Sequence, residues 1–210
     1  MTARLYCFGE SGNAYKAALT MALSGYDWEP VFVDFFRGEA RSPAFLALNG
    51  MGEVPVLLEG GRTLTQSAVI QLHVAERTGR LAGRPEDRAE VLRWLLWDNH
   101  KLSAQAGSLR FLMNFLPEER RPMEVIGWLS GRLAAAFKTL ERHLEGRGWI
   151  VGDAPTIADI ACCSYLFYPE PFTFERKALP NIDRWLDRIA ALPGWKHPYN
   201  LMPGNPADRA

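Results

Sequence analysis

Cysteine is scarce, with three residues in 210: Cys7, Cys162 and Cys163. They are too few and too badly spaced for a secreted disulfide framework. No Cys-x-x-Cys occurs, which excludes an oxidoreductase that carries its own redox pair. Cys7 falls in a strand-like run and Cys162-Cys163 in an apolar helical one, so all three read as small buried hydrophobes. The histidines, at 73, 100, 143 and 197, lack metal-ligand spacing, and no metal site is expected. Net charge is missing too. With 24 basic residues against 24 acidic ones, neither nucleic acid nor a membrane surface is an expected partner. No apolar run approaches the roughly 20 residues of a membrane span. Gly9 and Glu10 interrupt any N-terminal leader, so the cytoplasm is the expected compartment.

What is present suits a folded enzyme-sized chain. Hydrophobic residues make up 48% of the sequence, and 210 residues can bury a substantial core in one large domain or two small ones. A strand-like stretch from Leu5 to Phe8 leads through Ser11-Gly12-Asn13, read as loop and cap, into a breaker-free helix from Ala14 to Leu23. A second strand covers Trp28 to Val33, and Ser42-Pro43 opens a helix with serine as cap and proline in the first turn. Val54 to Leu58, Gly60-Gly61 and Arg62 to Thr65 form a hairpin, and Gln66-Ser67 opens a third helix. Gly79 to Pro85 reads as a linker, after which strand signals stop. Helices are expected over Glu86 to Phe115, Met123 to Leu144, Thr156 to Tyr168 and Pro180 to Ala191. The order is βαβ, then αββα, then helices alone.

The Ser11 junction is the most informative feature. Where an apolar strand ends and a helix begins, backbone N–H groups point outward and the helix dipole favours negative charge, so a bound thiolate would be stabilised. Ser and Asn at a helix start are also ordinary N-caps. Thr156-Ile157-Ala158-Asp159 has the spacing of a capping box and is read as structural.

The element order, the loop Ser11-Gly12-Asn13-Ala14-Tyr15-Lys16, Gly52-Glu53-Val54-Pro55-Val56-Leu57 and Leu64-Thr65-Gln66-Ser67 together resemble a cytosolic glutathione S-transferase. The loop is most similar to bacterial members that use serine or asparagine at the thiol. Trp149-Ile150-Val151-Gly152 with Pro155 to Ala161, and Leu179 to Leu186 with Leu192 to Trp195, resemble the family's helical-domain signature and closing helix. The resemblance implies a thioredoxin-like glutathione-binding domain over 1–80 and an all-helical domain with an electrophile pocket over 86–210. It implies a homodimer, with Ala68 to Arg77 and the long helix as contact elements.

On that resemblance, Ser11 or Asn13 donates a hydrogen bond to the glutathione thiolate, and Tyr6 is a rival for the same role. A free thiol is only about 3% ionised at pH 7, and lowering its pKa by about two units takes about 2.7 kcal/mol. One hydrogen bond to the anion supplies about 1.5–3 kcal/mol and a helix N-terminus up to about 2, so no further base is required. Pro55 resembles the family's cis-proline, which exposes the Val54 backbone to the cysteinyl part of glutathione. Gln66 and Ser67 would bind the γ-glutamyl carboxylate at a helix N-terminus. Glu53 stands where relatives often carry a base or amide, and Arg37 or Arg41 would then supply the positive charge for the glycine carboxylate. Arg110, Phe111 and Phe167 are candidates for the electrophile pocket, with Arg110 equally suited to a solvated face. The activity implied is attack of the glutathione thiolate on an apolar electrophile. Alternatives are glutathione-dependent reduction of a disulfide or peroxide, and a non-catalytic binding or regulatory module.

Overall fold

A computed structural model describes residues 2–204. The expected thioredoxin-like and all-helical architecture is observed, in two compact units: residues 2–82 with 193–204, and residues 83–192. Residues 205–210, which close the helical domain expected over 86–210, lie outside the described residues.

In the first unit, β1 (Ala3–Cys7), β2 (Trp28–Phe32), β3 (Val56–Glu59) and β4 (Arg62–Thr65) form one sheet in the order β2-β1-β3-β4. β1 runs parallel to β2, with Tyr6 opposite Val31, and antiparallel to β3, with Tyr6 opposite Val56. β3 pairs antiparallel with β4, Val56 opposite Thr65. Helices α1 (Gly12–Ser24), α2 (Pro43–Leu48) and α3 (Ser67–Thr78) complete the alternation. α1 is buried on nearly every side, which accounts for its Ala- and Leu-rich sequence lacking a polar stripe. A buried polar contact joins it to α3, Gln71 Nε2 donating to Thr20 Oγ1 at 3.0 Å.

Residues 193–204 pack with this unit rather than with the helices that precede them. Tyr15 Oη in α1 donates to the Lys196 carbonyl at 2.8 Å, and Gly9 N donates to the Pro203 carbonyl. A short α9 (Pro198–Leu201), unread in the sequence, lies against α1.

The second unit contains α4 (Arg88–Trp97), α5 (Ala104–Asn114), α6 (Met123–His143), α7 (Ile157–Cys163) and α8 (Pro180–Ala190). The single long helix expected from Glu86 to Phe115 is instead α4 and α5 joined by a π-helical segment, Asp98–Ser103. Buried Asp98 accepts a 2.7 Å hydrogen bond from Ser103 Oγ five residues on, the spacing of a π turn. The helix expected over Thr156 to Tyr168 stops at Cys163 and continues as a 3₁₀ turn over Ser164–Phe167. α6 buries Ile126, Leu129, Leu133, Ala136, Phe137 and Leu140 along one face. α7 is buried throughout.

Candidate active site

β1 ends, β3 begins and β4 ends at the same edge of the sheet, because β3 is antiparallel to both neighbours. Three sequence candidates spread between positions 11 and 67 therefore share that edge: Ser11 after β1, Val54-Pro55 before β3, and Gln66-Ser67 after β4. Topology alone brings them together.

Ser11 is the N-cap of α1, and its Oγ accepts from Ala14 N at 3.1 Å. The hydroxyl proton is not used by that bond, so the oxygen serves the helix while the O–H can donate elsewhere. Gly12 and Asn13, read in the sequence as loop, are already helical. Asn13 Oδ1 is buried and has no hydrogen-bond partner among the described residues. Tyr6 joins the cluster of Val33, Ala40, Phe45 and Val56, with its ring 6.3 Å from that of Phe45 and at 73° to it. Cys7 is fully buried, and that burial pushes its thiol up to about 12, outweighing a hydrogen bond with the Val31 backbone.

The Val54-Pro55 peptide is cis, and both residues precede β3 instead of lying in it. Asn49 shapes the approach: its Nδ2 donates to the Glu53 carbonyl at 2.8 Å and its Oδ1 accepts from Met51 N at 3.1 Å. Gly52 sits at φ +64°, and a Cβ there would lie 2.9 Å from the Ala40 carbonyl oxygen, so the position favours glycine. Arg41 Nη1 donates to the Met51 carbonyl at 3.3 Å, which holds the guanidinium beside this loop. Arg37, the other candidate, pairs instead with Asp34 at 3.7 Å on the loop after β2.

α3 begins at Ser67, with Gln66 as its cap residue, so Gln66-Ser67 is not the side-chain capping pair that either residue type suggests. Gln66 holds φ 69°, a conformation rare outside glycine, and makes no side-chain cap bond. Its Nε2 reaches Glu53 Oε2 at 3.3 Å and Met51 Sδ at 3.4 Å. Glu53 is thus tied to the amide of Gln66, not to an arginine.

The pocket candidates of the helical unit are dispersed in role. Arg110 is 2% exposed, which rules out a solvated face. Its Nη2 donates to Glu170 at 2.8 Å and its guanidinium lies 3.8 Å from the centre of the Tyr168 ring. Phe111 is exposed and tilts onto Phe115, and Phe167 is half-buried in the 3₁₀ turn. Asp159 forms the expected capping box and more: Oδ2 accepts from Thr156 N, while Oδ1 accepts from Ile150 N and from Trp185 Nε1, each bond at 2.8–2.9 Å.

Sequence reading missed Asn49, whose turn-rich surroundings (Asn-Gly-Met-Gly) were a usable signal. It also missed Phe35 and Phe36, exposed rings packed on Phe8: Phe35 stacks on it at 4.9 Å, and Phe36 meets it edge-on at 5.9 Å.

The sequence matches the glutathione S-transferase N-terminal domain over residues 1–76 and the glutathione S-transferase C-terminal domain over residues 111–193. It is 34% identical to the maleylacetoacetate isomerase of Pseudomonas aeruginosa, covering 97% of this chain and 99% of that protein. It is 26% identical to the disulfide-bond oxidoreductase YfcG of Escherichia coli, covering 89% of each. A crystal structure of a glutathione S-transferase from Xanthobacter autotrophicus superimposes with a TM-score of 0.86 at 35% identity, covering 99% of both chains. The chain belongs to the glutathione S-transferase family. No helix among the described residues is long and apolar enough to cross a membrane.

Proposed function

We propose that this protein binds glutathione along the shared sheet edge and activates its thiol for attack on an apolar electrophile. The observation that carries the reading is Ser11: an N-cap hydroxyl with an unused proton, on a helix whose first turn contains no acid, at the same edge as Val54 and Ser67. β1 and β4 are two strand spacings apart, about 10 Å. An extended tripeptide covers about the same length, so thiol at Ser11 and γ-glutamyl carboxylate at the α3 N-terminus are compatible. The Val54 backbone would pair with the cysteinyl unit, Gln66 would bind the γ-glutamyl end beside Ser67, and Arg41 would meet the glycine carboxylate. Glu53 is then a positioning partner of Gln66, not a ligand. Ser11 donates to the thiolate, and Asn13, whose amide is uncommitted, is the second candidate donor.

Catalysis on this reading is positioning plus stabilisation of the anion. Phe111 and Phe167 of the helical unit are the proposed apolar residues for the electrophile, with Arg110 holding its own segment through Glu170. The three buried cysteines, none of them in a disulfide, suit a reducing cytoplasm. A two-fold dimer through α3, where Val69 is exposed, belongs to the same proposal.

A second reading draws on the 34% identical isomerase. There the same thiolate would add to an activated alkene, permit rotation about the resulting single bond, and leave again, with no net consumption of glutathione. The 26% identical oxidoreductase supports a third use of the same thiolate, on a disulfide.

The test is glutathione itself. Calorimetry should register binding, and saturation should raise unfolding stability by about 2.7 kcal/mol at a hundredfold excess over Kd. No binding at millimolar glutathione would sink all three enzymatic readings and favour a binding or regulatory module. Product analysis then separates them: a conjugate, an isomer with glutathione recovered, or oxidised glutathione.

A further inference from the structure

The sulfur atoms of the first unit divide by exposure. Cys7 is fully buried and its thiol is pushed up to about 12, which keeps it in the slowly oxidised protonated form. Met21 is fully buried as well, and Met202 is 4% exposed. Met51 is 57% exposed. Among the described methionines only Met123, in the other unit, is as open, since Met113 is half-buried.

Met51 is presented at a fixed place. Its N–H donates to Asn49 Oδ1 at 3.1 Å and its carbonyl accepts from Arg41 Nη1 at 3.3 Å, so the backbone is tied on both sides. The side chain reaches Gln66, whose Nε2 lies 3.4 Å from Met51 Sδ and 3.3 Å from Glu53 Oε2. A thioether is only a weak acceptor, so a ligand loses little by displacing the sulfur contact. Oxidation would change that balance. A peroxide adds one oxygen to a thioether: the sulfur lone pair attacks, the S–O bond forms as the O–O bond breaks, and hydrogen peroxide departs as water. The sulfoxide oxygen is a far stronger acceptor than the sulfur it replaces.

We propose that Met51 is an oxidation site that governs glutathione affinity: its sulfoxide captures the Gln66 amide and withdraws it from the γ-glutamyl end of the tripeptide. The inference rests on the glutathione reading given above. Methionine sulfoxide reductases reverse the step, taking two electrons from a thiol pair and releasing the oxygen as water. Glutathione binding would then fall as peroxide accumulates and return once the oxidant is gone.

The experiment treats the full-length protein with hydrogen peroxide, removes the peroxide, maps sulfoxide by peptide mass spectrometry and titrates glutathione calorimetrically. Met51 and Met123 should gain oxygen before Met21 and Met202. The glutathione Kd should rise roughly 3- to 10-fold, the worth of one hydrogen bond, and treatment with reductases for both sulfoxide epimers should restore it. Met123→Leu should respond as the parent does. Met51→Leu should keep whatever affinity it starts with, although its Met123 is oxidised, and Gln66→Ala should likewise lose nothing further. Met51 unmodified while Met123 is oxidised would overturn the proposal, as would parent affinity at full Met51 oxidation or an equal loss in Met51→Leu. An untreated parent that binds no glutathione would sink the functional reading and the coupling with it, whereas binding that survives Met51 oxidation sinks this inference alone.

Discussion

The two units treat the beginnings of their helices in opposite ways. In the helical unit, α4, α6, α7 and α8 each place an acid in the first turn, Glu90, Glu124, Asp159 and Asp183, while α5, which continues out of the π segment, has none. Glu141 of α6 also accepts from Asn181 N and Ile182 N at the start of α8, at 2.8 and 2.9 Å. In the sheet-containing unit, α1, α2 and α3 have no acid in the first turn. Both units satisfy free N–H groups with side chains, as Ser11, Ser42 and Thr156 show. Only the helical unit also neutralises the positive end of the dipole with its own carboxylates. Where the protein supplies the negative charge, a helix start is finished structure. Where it withholds it, as at Ser11 and Ser67, the glutathione proposed above would bring the charge.

Asp159 offers the largest way to break that contrast. Asp159→Ala would strand three buried donors, Ile150 N, Thr156 N and Trp185 Nε1. At about 1–3 kcal/mol for each buried donor left unmatched, the loss should be about 3–5 kcal/mol of unfolding stability. A cap alone would cost only about 0.5–2 kcal/mol. Urea denaturation measures the difference, and glutathione affinity of the folded fraction should stay at the parent value. A variant with parent stability but lost binding would make Asp159 a functional residue and the contrast false.

Ser11 is the next largest. Ser11→Ala should raise the bound thiol pKa by about one to two units, the worth of a hydrogen bond to an anion, about 1.5–3 kcal/mol. It also removes the α1 cap, so stability would fall along with it. Ser11→Asp separates the two functions. Aspartate caps a helix as well as serine does, so stability should hold, while a carboxylate beside the thiolate should raise the thiol pKa further than alanine does. Thiolate absorbance of the glutathione complex against pH reads both variants. If both curves overlay the parent while Asn13→Ala shifts upward, the donor is Asn13.

Most of the site is written locally, which is why it was legible. Ser11 as a cap, Ser42-Pro43 as a helix start and Val54-Pro55 at the opening of a hairpin depend on neighbours within four residues, and propensity and capping rules act on that scale. The sheet order that gathers them follows from the βαβ and hairpin signals. What stayed hidden is either non-local or set by tertiary packing. The Tyr15 bond to the Lys196 carbonyl spans 181 positions and draws the tail to the first unit. Arg110 and Glu170 lie 60 positions apart, so the sequence leaves a pocket and a solvated face equally open for the arginine. The π segment leaves the apolar periodicity almost intact and is betrayed only by a buried Asp98. The positive φ of Gln66 has no sequence signal, because glycine would be the ordinary residue there.

The smallest effect tests the contrast inside a single unit. At the sheet edge opposite Ser11, where β3 meets β4, Glu59 accepts from Tyr26 Oη at 2.5 Å and from His73 Nε2 at 2.8 Å. Here the protein does supply the carboxylate. Burial alone would raise the Glu59 pKa, but the hydrogen bonds from Tyr26 and His73 and the charges of His73 and Arg77 outweigh it and hold the group below its ordinary 4.5. A carboxylate lowered in the folded state stabilises the fold above its unfolded pKa, and that contribution disappears as pH falls through the folded value. The parent should therefore be more stable than Glu59→Gln at pH 6, by roughly 1–3 °C in Tm given partial solvent screening, with the gap closing as pH falls below about 4. Thermal unfolding of both proteins from pH 6 to pH 3 measures it. A gap that persists at pH 3 would mean that the carboxylate charge contributes nothing there, and that the closed edge differs from the open one in shape alone.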